Sequence, residues 1–413
     1  MKVSVIGLGK LGLPLAAVYA ESGHIVNAYD SNTELIKLLT SQNYVFNEPK
    51  LADLLNKNHE KLNYVNDFSL AFNNSEIISV IVPTPSRGGV FSNETIFEIL
   101  NKFADELKNT QQYKLINIVS TVMPGSCVEL FIPLIESRSG KIHGKDFGLC
   151  YSPEFIALGS VVENLQLPDM ILIGASDKNS AVELEKFSKT LLLNQETPIM
   201  ILNLTESEIV KIAVNNFITM KISFANMINQ LTDSFPNADA AHILNAIGMD
   251  SRIGNKYLKP GTPFGGPCFP RDTIALSNVL KGKVKNDLPS LVASFNLEYS
   301  DFLFSKIEGM CAGKKAIGVI GVTYKSDTSV IEESFAFYCI NRFLNLGYEV
   351  NFWDTQFNEE LNSSVEKDAI YQSNLGKLVQ MSDILLIPRI LNNEEKSEFL
   401  SISHNLPVID LWH

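Results

Sequence analysis

At 413 residues, with 45% apolar and 19% charged side chains, the chain is long enough for two or three globular domains and too apolar for disorder. A formal net charge of −12 argues against a general binder of nucleic-acid backbone, though not against a local basic pocket for one anionic small molecule. No stretch is apolar for the roughly 20 residues of a membrane helix, and the N-terminal apolar run is too short for a signal peptide. The first elements are a β-branched strand at Lys2 to Ile6, a helix at Leu11 to Glu21 and a strand at His24 to Tyr29. Strand patterns at Ile77–Val82, Leu115–Val119 and Ile171–Ile173 alternate with helical stretches, which predicts a parallel sheet covered on both faces.

From Thr205 to about Phe235 the apolar residues recur at helical spacing, with no Gly or Pro before Pro236. Thr205 and Glu208 read as a T-x-x-E capping box, so a long spine helix is predicted to start after Thr205. Such a spine suits a homodimer interface, and a merely buried helix fits almost as well. Towards the other end, Ala316–Val322, a helical stretch from about Glu333 to Leu346 and Tyr348–Trp353 followed by Asp354 repeat the opening strand–helix–strand–acid pattern. The fold class expected is α/β, with two doubly wound Rossmann-like domains joined by a central helical connector.

Chemistry concentrates in two segments. Gly7-Leu8-Gly9-Lys10-Leu11-Gly12 is a G-x-G-x-x-G turn between strand and helix, and Asp30 closes the second strand. Glycines let the backbone approach a pyrophosphate at a helix N-terminus, and a carboxylate at Asp30 accepts ribose hydroxyls while repelling a 2′-phosphate. NAD is therefore the expected cofactor, with Gly7, Leu8, Gly9, Leu11, Gly12 and Asp30 as its contacts. The second segment is Pro263-Phe264-Gly265-Gly266-Pro267-Cys268-Phe269-Pro270-Arg271-Asp272. Arg271 can favour a thiolate at Cys268, and Asp272 can act as a base for water. On spacing alone, a buried inert cysteine is the better reading. The five cysteines (127, 150, 268, 311 and 339) contain no C-x-x-C pair and the six histidines no H-x-x-x-H pair, which speaks for a reducing cytoplasm and against a metal site.

Gly-Gly-Pro-Cys-Phe-Pro-Arg-Asp resembles the G-G-S-C-F-P-K-D signature of the UDP-glucose/GDP-mannose dehydrogenase family. The resemblance extends in order through Gly7–Gly12, Val82–Pro85, Ser120–Gly125, Ser152–Phe155, the segment Glu208–Phe224, Arg252–Gly254 and Tyr324-Lys325. It implies an NAD-binding domain at 1–203, a central helical domain at 204–300 and a nucleotide-sugar-binding α/β domain at 301–413. It also implies NAD-dependent four-electron oxidation of a sugar C6 alcohol, with UDP-glucose the leading substrate and another UDP- or GDP-hexose the alternative. Cys268 would capture the aldehyde and Lys211 with Asn215 would stabilise the oxyanion. Asp272 and Thr121 would position water, and Glu154 would assist hydrolysis. Thr84, Thr121 and Arg271 would lie near the cofactor. Glu154, Phe155, Lys211, Asn215, Arg252, Gly265 and Lys325 would meet the sugar nucleotide.

Two departures bear on binding. Ile156-Ala157-Leu158-Gly159 replaces the family's Leu-Arg-Glu-Gly, and Glu332 stands where an Arg for the cofactor phosphates is usual. A two-electron β-hydroxyacid dehydrogenase shares the NAD domain and long helix but needs neither the thiol nor a second α/β unit. A non-catalytic nucleotide-sugar sensor would need no set of Cys268, Asp272, Lys211 and Glu154.

Overall fold

Strand β1 (Lys2–Ile6) buries Val3, Val5 and Ile6 completely, because helices cover both faces of the sheet it centres. The computed structural model describes residues 1–42, 48–357, 368–402 and 405–412. Numbered along the chain, the next strands are β2 (Ile25–Tyr29), β3 (Leu62–Val65) and β4 (Ile77–Val80). A small antiparallel hairpin follows, β5 (Ser86–Arg87) with β6 (Val90–Phe91), and then β7 (Lys114–Ile118), β8 (Phe147–Tyr151), β9 (Ile171–Ala175) and β10 (Ile199–Leu202). The eight-stranded sheet runs in the order β10-β9-β8-β7-β4-β1-β2-β3. Separate apolar clusters lie on its two faces. One is built on Leu13–Ala20 with Leu184 and Phe187, the other on Ile96–Leu107 with Phe131 and Ile135.

The sheet is not parallel throughout, as the alternation had predicted: β8 and β9 pair antiparallel. The link between them carries one helix of six residues, Val161–Gln166. Among the described residues no long crossover helix joins the two strands, and β9 runs back alongside β8. The chain therefore re-enters the sheet from the end it left.

The long helix is present as Leu204–Thr232, 29 residues. Its predicted cap is corrected. Asn203 accepts from the Glu206 amide at 2.8 Å, and Glu206 accepts from the Asn203 amide at 3.0 Å, so the capping box is Asn203/Glu206 rather than Thr205/Glu208. Asparagine at that position outcompetes a threonine two residues later because its carbonyl reaches the third amide of the helix.

Two compact units divide within this helix, Met1–Ala213 and the chain from Val214 onward. The second unit adds helices Ala240–Gly248, Phe269–Leu280 and Leu288–Met310. It ends in strands β11 (Ala316–Ile320), β12 (Glu349–Trp353), β13 (Ile370–Tyr371), β14 (Ile384–Ile387) and β15 (Val408–Asp410). They form a parallel sheet in the order β13-β12-β11-β14-β15. The architecture is α/β, two doubly wound sheets with a helical connector between them in the chain. Among the described residues no helix is long and apolar enough to cross a membrane, and no cluster of His, Cys, Asp and Glu has the makings of a metal site.

Candidate active site

In the first unit the glycine turn opens helix Gly12–Glu21, whose first residues carry no side-chain cap. A Cβ at Gly12 would lie 1.8 Å from the Gly7 carbonyl oxygen, so only glycine lets the helix pack on the turn. Gly9 has nothing within 4 Å of where its Cβ would be, which leaves its backbone open to a ligand. Leu8 is buried and Leu11 half-buried against the core. Asp30 accepts the amides of Leu8 and Asn32, each at 2.8 Å, which fixes its carboxylate beside the turn. Uncapped helical amides, an open glycine and a held carboxylate suit the diphosphate and ribose of a dinucleotide.

Other predicted residues of this unit fall into two groups. Thr84 is buried and donates to the Thr121 carbonyl at 2.8 Å, so the two loops that follow β4 and β7 are tied together. Beyond β8, Lys211 Nζ donates to the Glu154 carbonyl at 2.6 Å and lies 4.9 Å from the centre of the Phe155 ring. Desolvation pushes the Glu154 carboxyl up to about 7, against the opposing pull of Lys211. By the T-x-x-E pattern Glu208 belongs in a cap. It is instead fully buried and accepts the amides of Gly125 at 2.5 Å and Cys127 at 2.8 Å. One turn before Lys211, it anchors the long helix to the loop that carries Thr121. The signal in the sequence was an acid inside the apolar stripe of that helix.

The second unit holds the thiol. Four of the five cysteines are buried; Cys268 is exposed, at the N-cap of helix Phe269–Leu280. A helix N-terminus favours the thiolate over the thiol. Asp272 is fully buried, with Asn215 Nδ2 on one oxygen at 2.6 Å and Arg271 Nε on the other at 3.0 Å. Asn216, which the sequence did not single out, adds a bond from its Nδ2 to the Asp272 carbonyl at 2.9 Å. The Cys268 loop also abuts the loop after β11. A Cβ on Gly265 would meet the Glu333 carbonyl at 2.0 Å, and the Gly266 amide donates to the Glu332 carbonyl at 3.1 Å. The Tyr324 hydroxyl is pushed up by burial and, secondarily, by the charge at Cys268. Lys325 next to it is exposed. Arg252 is exposed and holds Asp250 through two nitrogens, the closer contact at 2.6 Å.

Residues 1–192 match the profile of the NAD binding domain of the UDP-glucose/GDP-mannose dehydrogenase family, and residues 205–297 match that of its central domain. UDP-glucose 6-dehydrogenase of Rickettsia prowazekii (strain Madrid E) is 30% identical over 397 residues, covering 94% of this chain and 88% of that protein. The chain belongs to the UDP-glucose/GDP-mannose dehydrogenase family. As a member of this family of NAD-dependent nucleotide-sugar 6-dehydrogenases, it takes NAD as cofactor. GDP-mannose 6-dehydrogenase of Pseudomonas syringae pv. tomato is 26% identical over 433 residues, 100% of this chain and 96% of that one. A UDP-glucose dehydrogenase from Pyrobaculum islandicum superposes with a TM-score of 0.88 at 25% identity, covering 100% of this chain and 94% of that chain. A UDP-D-ManNAc dehydrogenase from Pyrococcus horikoshii gives 0.82 at 25% identity, covering 99% and 95%.

Proposed function

We propose that this dehydrogenase converts the C6 hydroxymethyl of UDP-glucose to a carboxylate by a four-electron oxidation through a covalent bond to Cys268. The exposure of Cys268 at a helix N-terminus, where the other four cysteines are buried, carries this reading. Two NAD molecules, bound in succession at the Gly7–Gly12 turn, Asp30, Thr84 and Thr121, would each supply the acceptor for one hydride from C6. The Cys268 thiolate adds to the intermediate aldehyde as a thiohemiacetal, and oxidation of that adduct leaves a thioester. Capture prevents loss of the aldehyde and splits a hard oxidation into easier steps.

Lys211 stabilises the oxygen on which negative charge develops. Asn215 follows four residues later in the same helix, and Asp272 with Arg271 holds its amide in place. Asp272 acts by orienting its neighbours, since both its oxygens are occupied and none of its surface is exposed. Glu154, its carboxyl pushed up to about 7 by desolvation, takes a proton from the water that cleaves the thioester. Phe155, Gly265, Lys325 and Arg252 are the remaining substrate contacts in this proposal. UDP-glucose is favoured by the Rickettsia prowazekii and Pyrobaculum islandicum proteins, both named for it. Another UDP- or GDP-hexose is the second choice, given the GDP-mannose and UDP-D-ManNAc names among the similar proteins. The long helix also leaves Phe217, Phe224, Met227 and Leu231 exposed along one stripe, which supports a homodimer.

The test is stoichiometry. With purified protein and a panel of UDP- and GDP-hexoses, two NADH per sugar consumed are expected for the true substrate, and Cys268→Ser is expected to lose release of the sugar acid while keeping NAD binding. One NADH per sugar, or wild-type turnover in Cys268→Ser, would rule out the covalent route.

A further inference from the structure

A cavity lies inside the first unit behind Glu154, between β7 and the helices Gly12–Glu21 and Lys178–Leu191. It leaves about 30 Å³ to the centres of water-sized molecules. That is room for about two waters. Most of the residues around it are apolar, yet Tyr19, Asn117, Ser152, Glu154 and Ser188 all line it. Asn117 Oδ1 is buried and has no hydrogen-bond partner among the described residues. An acceptor left dry in a buried place is costly, so the site favours water. The Tyr19 hydroxyl lies 3.2 Å from Ser79 Oγ, and Ser79 is the register partner of Asn117 across β4 and β7. The charge of Glu154 is felt at Tyr19. Tyr19, Asn117 and Ser188 thus share one cavity with Glu154, the carboxyl assigned to hydrolysis.

This inference rests on the reading above. In the hydrolytic step water forms a C–O bond to the thioester carbon and the C–S bond breaks. Sulfur leaves with the electron pair as the Cys268 thiolate, and the proton of the water passes to Glu154. Glu154 must lose that proton before the next turnover, while cofactor and sugar occupy the side where the chemistry occurs. We infer that the cavity is the exit: water held by Asn117 and Tyr19 takes the proton from Glu154 and delivers it past Ser188 to the half-exposed rim at Met170 and Leu191. Lys211, on the long helix, is the cation that faces Glu154, and it cannot accept a proton while charged.

Asn117→Leu replaces the acceptor with an apolar side chain of similar size, and Tyr19→Phe removes only the hydroxyl. Ser188→Leu fills the cavity from the outer helix and leaves the sheet intact, in case Asn117→Leu fails to fold. With NAD and UDP-glucose, kcat in each folded variant is expected to drop about tenfold with little change in KM. The solvent deuterium effect on kcat should rise, and added imidazole should restore turnover by carrying the proton another way. A crystal structure of the wild-type protein should show ordered water on Asn117 Oδ1. Folded variants with wild-type kcat and no dependence on buffer, or a dry cavity in the crystal, would overturn the route and leave the oxidation reading standing. A wild type that releases one NADH per sugar has no thioester, and would overturn both.

Discussion

Glu154 shows how two neighbours compete for one carboxyl. Lys211 lies 2.6 Å from its carbonyl oxygen and favours the ionised form, yet desolvation wins and raises the carboxyl from 4.5 to about 7. The folded protein therefore binds this proton more tightly than the unfolded chain does. The stability it contributes is complete below pH 4.5 and is lost as the pH rises through about 7. Glu154→Gln, neutral at every pH, escapes that loss. Its melting temperature is expected to exceed the wild-type value at pH 8, by the equivalent of roughly 1–3 kcal/mol after allowance for solvent screening. The gap should close as the pH falls toward 4.5, as followed by scanning calorimetry. A gap that ignores pH would mean that this carboxyl is fully hydrated.

Among the elements, the start of the long helix shows how a local motif can be misplaced by two residues. Both Asn203-x-x-Glu206 and Thr205-x-x-Glu208 satisfy the capping pattern, and the N-cap preference of asparagine over threonine is too small to decide between them from sequence. The choice fell to Asn203 because Glu208 is taken by the amides of Gly125 and Cys127, a contact across 81 residues of chain at its nearest. Asn203→Ala should cost about 1 kcal/mol, read as a lower urea midpoint. Thr205→Ala should stay within about 0.5 kcal/mol of wild type. Equal losses from the two would return the cap to Thr205. Likewise, the apolar pattern does not report strand direction, so it could not show that β9 runs antiparallel to β8.

At the scale of the whole molecule, the exposed stripe on the long helix bears on assembly. Phe217 is 61% and Leu231 53% exposed, more than isolated surface apolar residues require when Phe224 and Met227 lie between them on the same face. If two copies bury this stripe against each other, Phe217→Glu combined with Phe224→Glu should turn a dimer into a monomer in sedimentation velocity runs. A monomeric wild type, or a dimer that survives both charges, would move the interface elsewhere. The pseudo-repeat operates at this scale too. Asp354 follows β12 as Asp30 follows β2, and it accepts the amides of Val322 and Thr323 much as Asp30 accepts that of Leu8. Asp354, however, is fully buried against Arg389 at 2.8 Å, so this acid serves the interior where Asp30 stays half-buried beside the glycine turn.

The alternating apolar runs, the glycine turn with Asp30 and the ordered family motifs were enough to read two α/β units, NAD and the reaction class from the amino-acid sequence. Each of these depends on short-range periodicity or on residues packed into one turn, where chain connectivity sets the geometry. Long-range packing decided the rest: which acid caps the long helix, which strand reverses, which of two equivalent acids is sealed, and which of five thiols meets solvent. Burial and hydrogen bonding at those positions are set by residues tens of positions away. Cys268 and Cys127 are the same amino acid, and only the fold made one accessible and the other inert.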